Sequence, residues 1–120
     1  MHTYTSIAVG TDGSPTSLVA VRAAASLARV YDAQLTVICA HYTASGSMLN
    51  STNAELSKID IVTETGAQEI LTRARTIAEE EQAPKVNVVS KAGQPANVLL
   101  ESVSEYEVDL LVVGLSLIHI

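Results

Sequence analysis

Short apolar runs alternate along this chain with longer stretches in which apolar residues recur every three or four positions. Ser6–Gly10 is a brief run of branched and small apolar residues, the pattern of a buried parallel strand. In Pro15–Tyr31, Leu18, Val21, Ala25 and Ala28 fall on one face of a helix. Gln34–His41, with Leu35, Val37, Ile38 and Cys39, predicts a second strand. Residues 64–82 carry the clearest helical stripe: Ala67, Ile70, Leu71, Ala74, Ile77 and Ala78. A third strand is expected over 85–90, a helix from Pro95 to about Tyr106, and a strongly buried fourth strand over 108–114. Residues 42–57 are rich in Ser, Thr and Asn and have no clean period, so they read as a long loop.

The order β-α-β-α-β-α-β predicts an α/β fold: an open, Rossmann-like parallel sheet with helices on both faces. The carboxyl ends of the strands then converge on Gly10 to Ser14, His41, Ala92 to Gln94 and Gly114, four rims of one crevice. In such sheets the crevice is where ligands bind. Its first rim is the most informative. Gly10-Thr11-Asp12-Gly13-Ser14-Pro15 turns a strand directly into a helix, with Ser14 placed to cap it and Pro15 at a first position that needs no N–H. Asp12 therefore stands at a strand end beside a helix N-terminus. Ala92-Gly93-Gln94-Pro95 repeats the same logic further on.

Composition narrows the function classes. The chain has 120 residues, 48% of them hydrophobic, enough for one domain with its own core. Phe and Trp are absent, so Val, Ile, Leu and Ala must build that core. A net charge of -6, without any Lys or Arg cluster, argues against nucleic acid or an anionic membrane as partner. No apolar run approaches the ~20 residues of a membrane span. Met1-His2-Thr3-Tyr4 does not read as an export signal, and one cysteine, Cys39, cannot form an internal disulfide, so a cytoplasmic setting is expected. Cys39 itself reads as a small buried hydrophobe and His41 as a polar rim residue. Glu79, Glu80 and Glu81 sit at the unfavourable end for the helix dipole, so that end is expected to be a solvated one that frays.

Several chemistries find no motif. There is no Walker-type phosphate loop, no Gly-x-Gly-x-x-Gly after the first strand and no Gly-x-Ser-x-Gly elbow. His2, His41 and His119 have no metal-ligand spacing, so no metal site is expected.

Four segments, in register, do carry a resemblance: Ile7-Ala8-Val9-Gly10-Thr11-Asp12-Gly13-Ser14, Leu35-Thr36-Val37-Ile38-Cys39-Ala40-His41, Ala92-Gly93-Gln94-Pro95-Ala96 and Val108-Asp109-Leu110-Leu111-Val112-Val113-Gly114. Together they resemble universal stress protein domains over residues 5–114. The resemblance implies strand order 3-2-1-4-5, a homodimer and, in one subclass, an adenine-nucleotide site. It places nucleotide contacts at Thr11, Asp12, Gly13, Val37, Gly93 and Gly114. Asp12 would contact the nucleoside, the backbone of Val37 would hold adenine, and Gly114 would open a phosphate-binding motif.

The chain departs from that pattern after Gly114. Leu117 stands where the family places a second glycine, and the last helix, fifth strand and phosphate hydroxyls have no counterpart. The domain is therefore expected to span 1–114 incompletely, with 115–120 a non-native tail; Leu-Ser-Leu-Ile-His-Ile is one translation of a transposase end sequence used in sequencing libraries. In that state ATP binding is expected to be poor and the fourth strand to be an association-prone edge. The resulting reading is a regulatory module of stress physiology that binds ATP or cyclic AMP, with any need for Mg²⁺ left open. It is not expected to be an efficient enzyme, because no general base, Mg²⁺ carboxylate pair or arginine finger is evident. A protein-interaction domain of the same fold, and an enzyme of the adenine-nucleotide α-hydrolase group, remain the alternatives.

Overall fold

A computed structural model describes residues 3–41 and 63–114. The expected loop at 42–57 and the tail at 115–120, Leu117 included, lie outside the described residues. The elements are β1 (Ser6–Gly10), α1 (Pro15–Tyr31), β2 (Gln34–His41), α2 (Glu64–Glu80), β3 (Lys85–Ala92), α3 (Pro95–Glu105) and β4 (Leu110–Val112). All pairings are parallel and the strand order is β3-β2-β1-β4. That is the α/β architecture expected, and the order matches the first four strands of the implied 3-2-1-4-5.

The two faces of the sheet differ. Ile7, Val9, Leu35, Val37 and Cys39 project to the side covered by α1 and α2 and form the main core with Val21, Ala25, Ala28, Leu71 and Ala74. Ala8 and Ile38 project to the other side, where Val98 of α3 closes a smaller cluster. The α1 stripe is wider than Leu18, Val21, Ala25 and Ala28 suggest: Ser17, Ala20 and Ala24 are also buried, and Leu18 is half-buried. Small residues there let the helix lie close to the strands.

Three expectations need correction. β3 runs to Ala92 rather than to residue 90, because β2 pairs with it as far as His41 opposite Ala92. β4 has three residues, all half-buried, instead of the expected seven-residue, strongly buried strand; β1 pairs with it only through Ile7, Ala8 and Val9. The end of α2 is held and not merely solvated. Arg22 Nη1 donates to Glu81 Oε2 at 2.6 Å and the Ser26 hydroxyl to Glu81 Oε1 at 3.1 Å, which ties α2 to α1.

Asp109 fastens β4 to the start of β1. Its carboxylate accepts from the Thr5 and Ser6 N–H groups (3.0 and 3.1 Å) and from the Thr5 hydroxyl (3.1 Å). The Thr5 N–H is the main reason that its carboxyl is held below the usual carboxylate range; desolvation opposes this, and Ser6 and the Thr5 hydroxyl reinforce it. A lowered folded-state pKa means that the gain is present above the unfolded value and is lost as pH falls through the folded one. Melting temperatures of the unsubstituted protein and Asp109→Asn should therefore differ at pH 7 and converge as pH falls through the lowered folded-state pKa. Curves that stay parallel across that range would show that the clip adds nothing.

Candidate functional site

The β1–α1 turn is built to hold its own shape. Ser14 caps α1 by accepting the Ser17 N–H at 3.2 Å, and Pro15 occupies the first turn. The Ser17 hydroxyl donates to the Ser14 carbonyl (3.0 Å), so the Thr11 hydroxyl, 2.8 Å away, donates to Ser17. The Asp12 N–H reaches Ser17 Oγ (3.3 Å) and the Gly13 N–H reaches Thr11 Oγ1 (3.1 Å). The Ser14 N–H goes to Asp12 Oδ1 (2.9 Å) and the Thr11 N–H to the Ile38 carbonyl (2.9 Å). The four N–H groups from Thr11 to Ser14 thus all have partners inside the protein. This turn is no phosphate nest, since such a nest needs N–H groups aimed outward. Gly13 makes the geometry possible, with φ +85 and Ile70 2.9 Å from where a Cβ would lie.

Asp12 is exposed at the lip of this turn. Desolvation alone would raise its carboxyl, but hydrogen bonds from Ser14 and Ser17 outweigh it and hold the group below the usual carboxylate range. Oδ1 accepts from the Ser14 N–H, and the carboxylate, which lines the crevice, has acceptor capacity beyond that bond.

The crevice is a cleft of about 250 Å³ at the carboxyl ends of β1, β2 and β4, on the α3 side of the sheet. Ile38, Ala40, Pro95, Val98, Leu99 and Val113 give it an apolar wall; Thr11, Asp12 and Ser17 give it one polar edge. That volume lies just below the ~300–1,000 Å³ of typical small-molecule sites.

β2 outruns β1 here, and this exposes backbone. In a parallel ladder, alternate residues of a strand bond to opposite neighbours. The Ile38 carbonyl accepts from Thr11 of the β1 side, and the His41 carbonyl accepts from Gly93 of the β3 side (both 2.9 Å). Ala40 shares the direction of Ile38, so its N–H and C=O face the β1 side. Pairing with β1 ends at Gly10 opposite Ile38, and Gly13, which would continue it, turns back to Thr11 instead. Among the described residues the Ala40 carbonyl accepts only a long contact from the neighbouring thiol, Cys39 Sγ at 3.7 Å, and pairing with β1 ends before it reaches the Ala40 N–H; Ala40 itself lines the cleft.

Of the six residues expected at a site, the structure brings Thr11, Asp12 and Gly114 to the cleft. Gly13 shapes the turn behind it. Gly93, at φ +139, shapes the β3–α3 turn and donates to His41. Val37 is not at the cleft: its side chain is fully buried in the opposite face, and its backbone has the direction that serves β3. Ile38 and Ala40 of the same strand line the cleft instead. The register of β1 on β2 decides this, and hydrophobic pattern alone does not reveal where one strand outruns another.

Two further expectations have clear outcomes. Cys39 is fully buried, and desolvation, aided by the Asp12 charge, pushes its thiol up to about 11. It is a core thiol and not a nucleophile at neutral pH. His41 is no polar rim residue: it is 7% exposed, and its Nδ1 is buried without a hydrogen-bond partner among the described residues. No described helix is long and apolar enough to cross a membrane.

Comparison with known proteins agrees with this fold. Among curated protein sequences no match was found. A solved universal stress protein in complex with cAMP superposes with a TM-score of 0.70 at 26% identity, covering 92% of this chain and 71% of that one. A Mycobacterium tuberculosis protein superposes with a TM-score of 0.67 at 30% identity, covering 98% and 79%. A universal stress protein family protein from Arabidopsis thaliana with AMP bound shares the fold, with a TM-score of 0.62 at 14% identity, covering 92% and 76%. The sequence matches the Universal stress protein family over residues 3–116, and with nearly its whole length inside that match the chain belongs to this family.

Proposed function

We propose that the cleft binds an adenine nucleotide with its nucleoside end inward. The base lies on the apolar wall of Ile38, Val98 and Leu99, and its edge meets the Ala40 N–H and C=O. The Asp12 carboxylate accepts from a ribose hydroxyl. The phosphates point outward past Gly114, away from the Asp12 charge and from a turn whose N–H groups are already taken. The observation that carries this reading is a backbone donor and acceptor at Ala40 that β1 leaves unpaired, its carbonyl touched among the described residues only by the Cys39 thiol at 3.7 Å, together with one ionised carboxylate beside the same apolar floor. The cAMP and AMP found in two proteins of this fold support the ligand class. AMP, cAMP and ATP are the candidates. The protein acts as a binding module in stress physiology and works as a cytoplasmic homodimer.

Adenine offers a donor at N6 and an acceptor at N1; guanine offers the reverse, and must turn over to pair with the same backbone groups, which carries its ribose away from Asp12. Calorimetric titration should therefore show AMP or cAMP binding at least about tenfold more tightly than GMP, a difference of about 1.4 kcal/mol. Absence of binding by every adenine nucleotide, or equal binding of GMP, would overturn the proposal.

A further inference from the structure

We infer that Leu99 sets the size of the base that the cleft admits. This rests on the nucleotide reading above and concerns the floor of the same site. Gly10 ends β1 beneath the cleft. A Cβ at that position would lie 2.8 Å from Leu99 Cδ2, 3.1 Å from its Cδ1 and 3.4 Å from its Cγ. The isobutyl tip of Leu99 thus fills the space that a side chain at position 10 would take. Both residues line the cleft.

The neighbours of Leu99 are fixed in a way that it is not. Ile38 and Val98 are 1% and 2% exposed, locked between sheet and α3. Leu100, the next residue, points outward at 68% exposure. Leu99 is half-buried, packed on the Ala8, Ile38 and Val98 cluster with its tip reaching under Gly10. The floor at this point is a side-chain end that moves by rotation about two bonds, not sheet backbone.

The consequence is a coupled pair. A methyl at position 10 displaces the Leu99 tip into the cleft and makes it shallower. Shortening Leu99 makes it deeper. Doing both returns most of the original depth. An ordinary core leucine would lower stability when shortened and leave ligand preference alone. One methylene in an apolar pocket changes discrimination by about 10- to 200-fold.

The test titrates the full chain and its Gly10→Ala, Leu99→Ala and double variants with AMP and with AMP analogues enlarged at N6, C2 or C8. Melting curves identify the variants that are folded, and Leu99→Val, a smaller cut, serves if Leu99→Ala is not. Gly10→Ala should weaken AMP about tenfold, and the double variant should regain most of that loss. Leu99→Ala should raise the preference for at least one enlarged analogue over AMP by about tenfold. If AMP binds but these preferences do not move, or if the double variant is no better than Gly10→Ala, the inference falls alone. If the unsubstituted chain binds no AMP, the nucleotide reading falls and takes the inference with it.

Discussion

Replacing Asp12 with alanine is expected to weaken AMP binding by about 1–3 kcal/mol, the cost of deleting a partner that leaves a desolvated ligand hydroxyl unpaired. The size follows from how the carboxylate is held. Hydrogen bonding from Ser14 and Ser17 keeps it ionised, and the Ser14 N–H on Oδ1 fixes its direction. Little rotamer freedom remains to be lost when ligand arrives, so most of the interaction reaches the binding free energy. Asp12→Asn is the informative control. Its amide oxygen can still accept from Ser14, so the turn survives while the charge is gone. A fall in affinity for Asp12→Asn at unchanged melting temperature assigns the loss to the site. Equal AMP affinity for the unsubstituted protein and both variants would remove Asp12 from it.

Gly114→Ala is expected to destabilise the protein by about 1–3 kcal/mol, the usual cost of forcing an extra methyl into a packed region. The end of β4 lies against the first turns of α1. A Cβ at Gly114 would fall 2.9 Å from the Thr16 carbonyl oxygen, 3.0 Å from the Ala20 Cβ and 3.2 Å from the Ser17 Cα. Two of those three atoms are helix backbone, which cannot rotate away as the Leu99 tip can. Relief requires β4 or α1 to move, and Ser17 is the hub of the Thr11–Ser17 network. Stability and AMP affinity should therefore fall together. Urea denaturation checks the first: an unchanged midpoint would show that β4 does not abut α1. The resemblance read this glycine as the start of a phosphate motif, and the packing gives it a second, independent reason.

Much of the fold is legible in the residues themselves. β1, α1 and β2 fall where apolar runs, the Ser14 cap and Pro15 put them, because each of those signals is local. Errors gather where a neighbour decides. Ser90 and Lys91 look like the end of a strand, yet β2 carries the pairing on to Ala92. The run from Val108 to Gly114 looks like a long buried strand, yet β1 offers it only three partners. Glu81 looks solvated until Arg22, 59 positions away in sequence, is brought beside it. The site divides in the same way. Asp12 is visible because its turn is a local motif. Ala40 is not, because its significance comes from β1 leaving the sheet two residues before it. The strand order came from the family resemblance and not from periodicity.

In the proposed complex adenine meets the overhanging backbone of β2 while Asp12 meets the ribose. Backbone amide resonances of the labelled protein, followed during an AMP titration, test it most directly. The largest shifts should fall at Asp12, Ala40 and Leu99, the Ala40 amide should move downfield as its N–H gains an acceptor, and Val37 on the buried face should stay still. Saturable binding with the shifts centred elsewhere, and Ala40 unmoved, would contradict it.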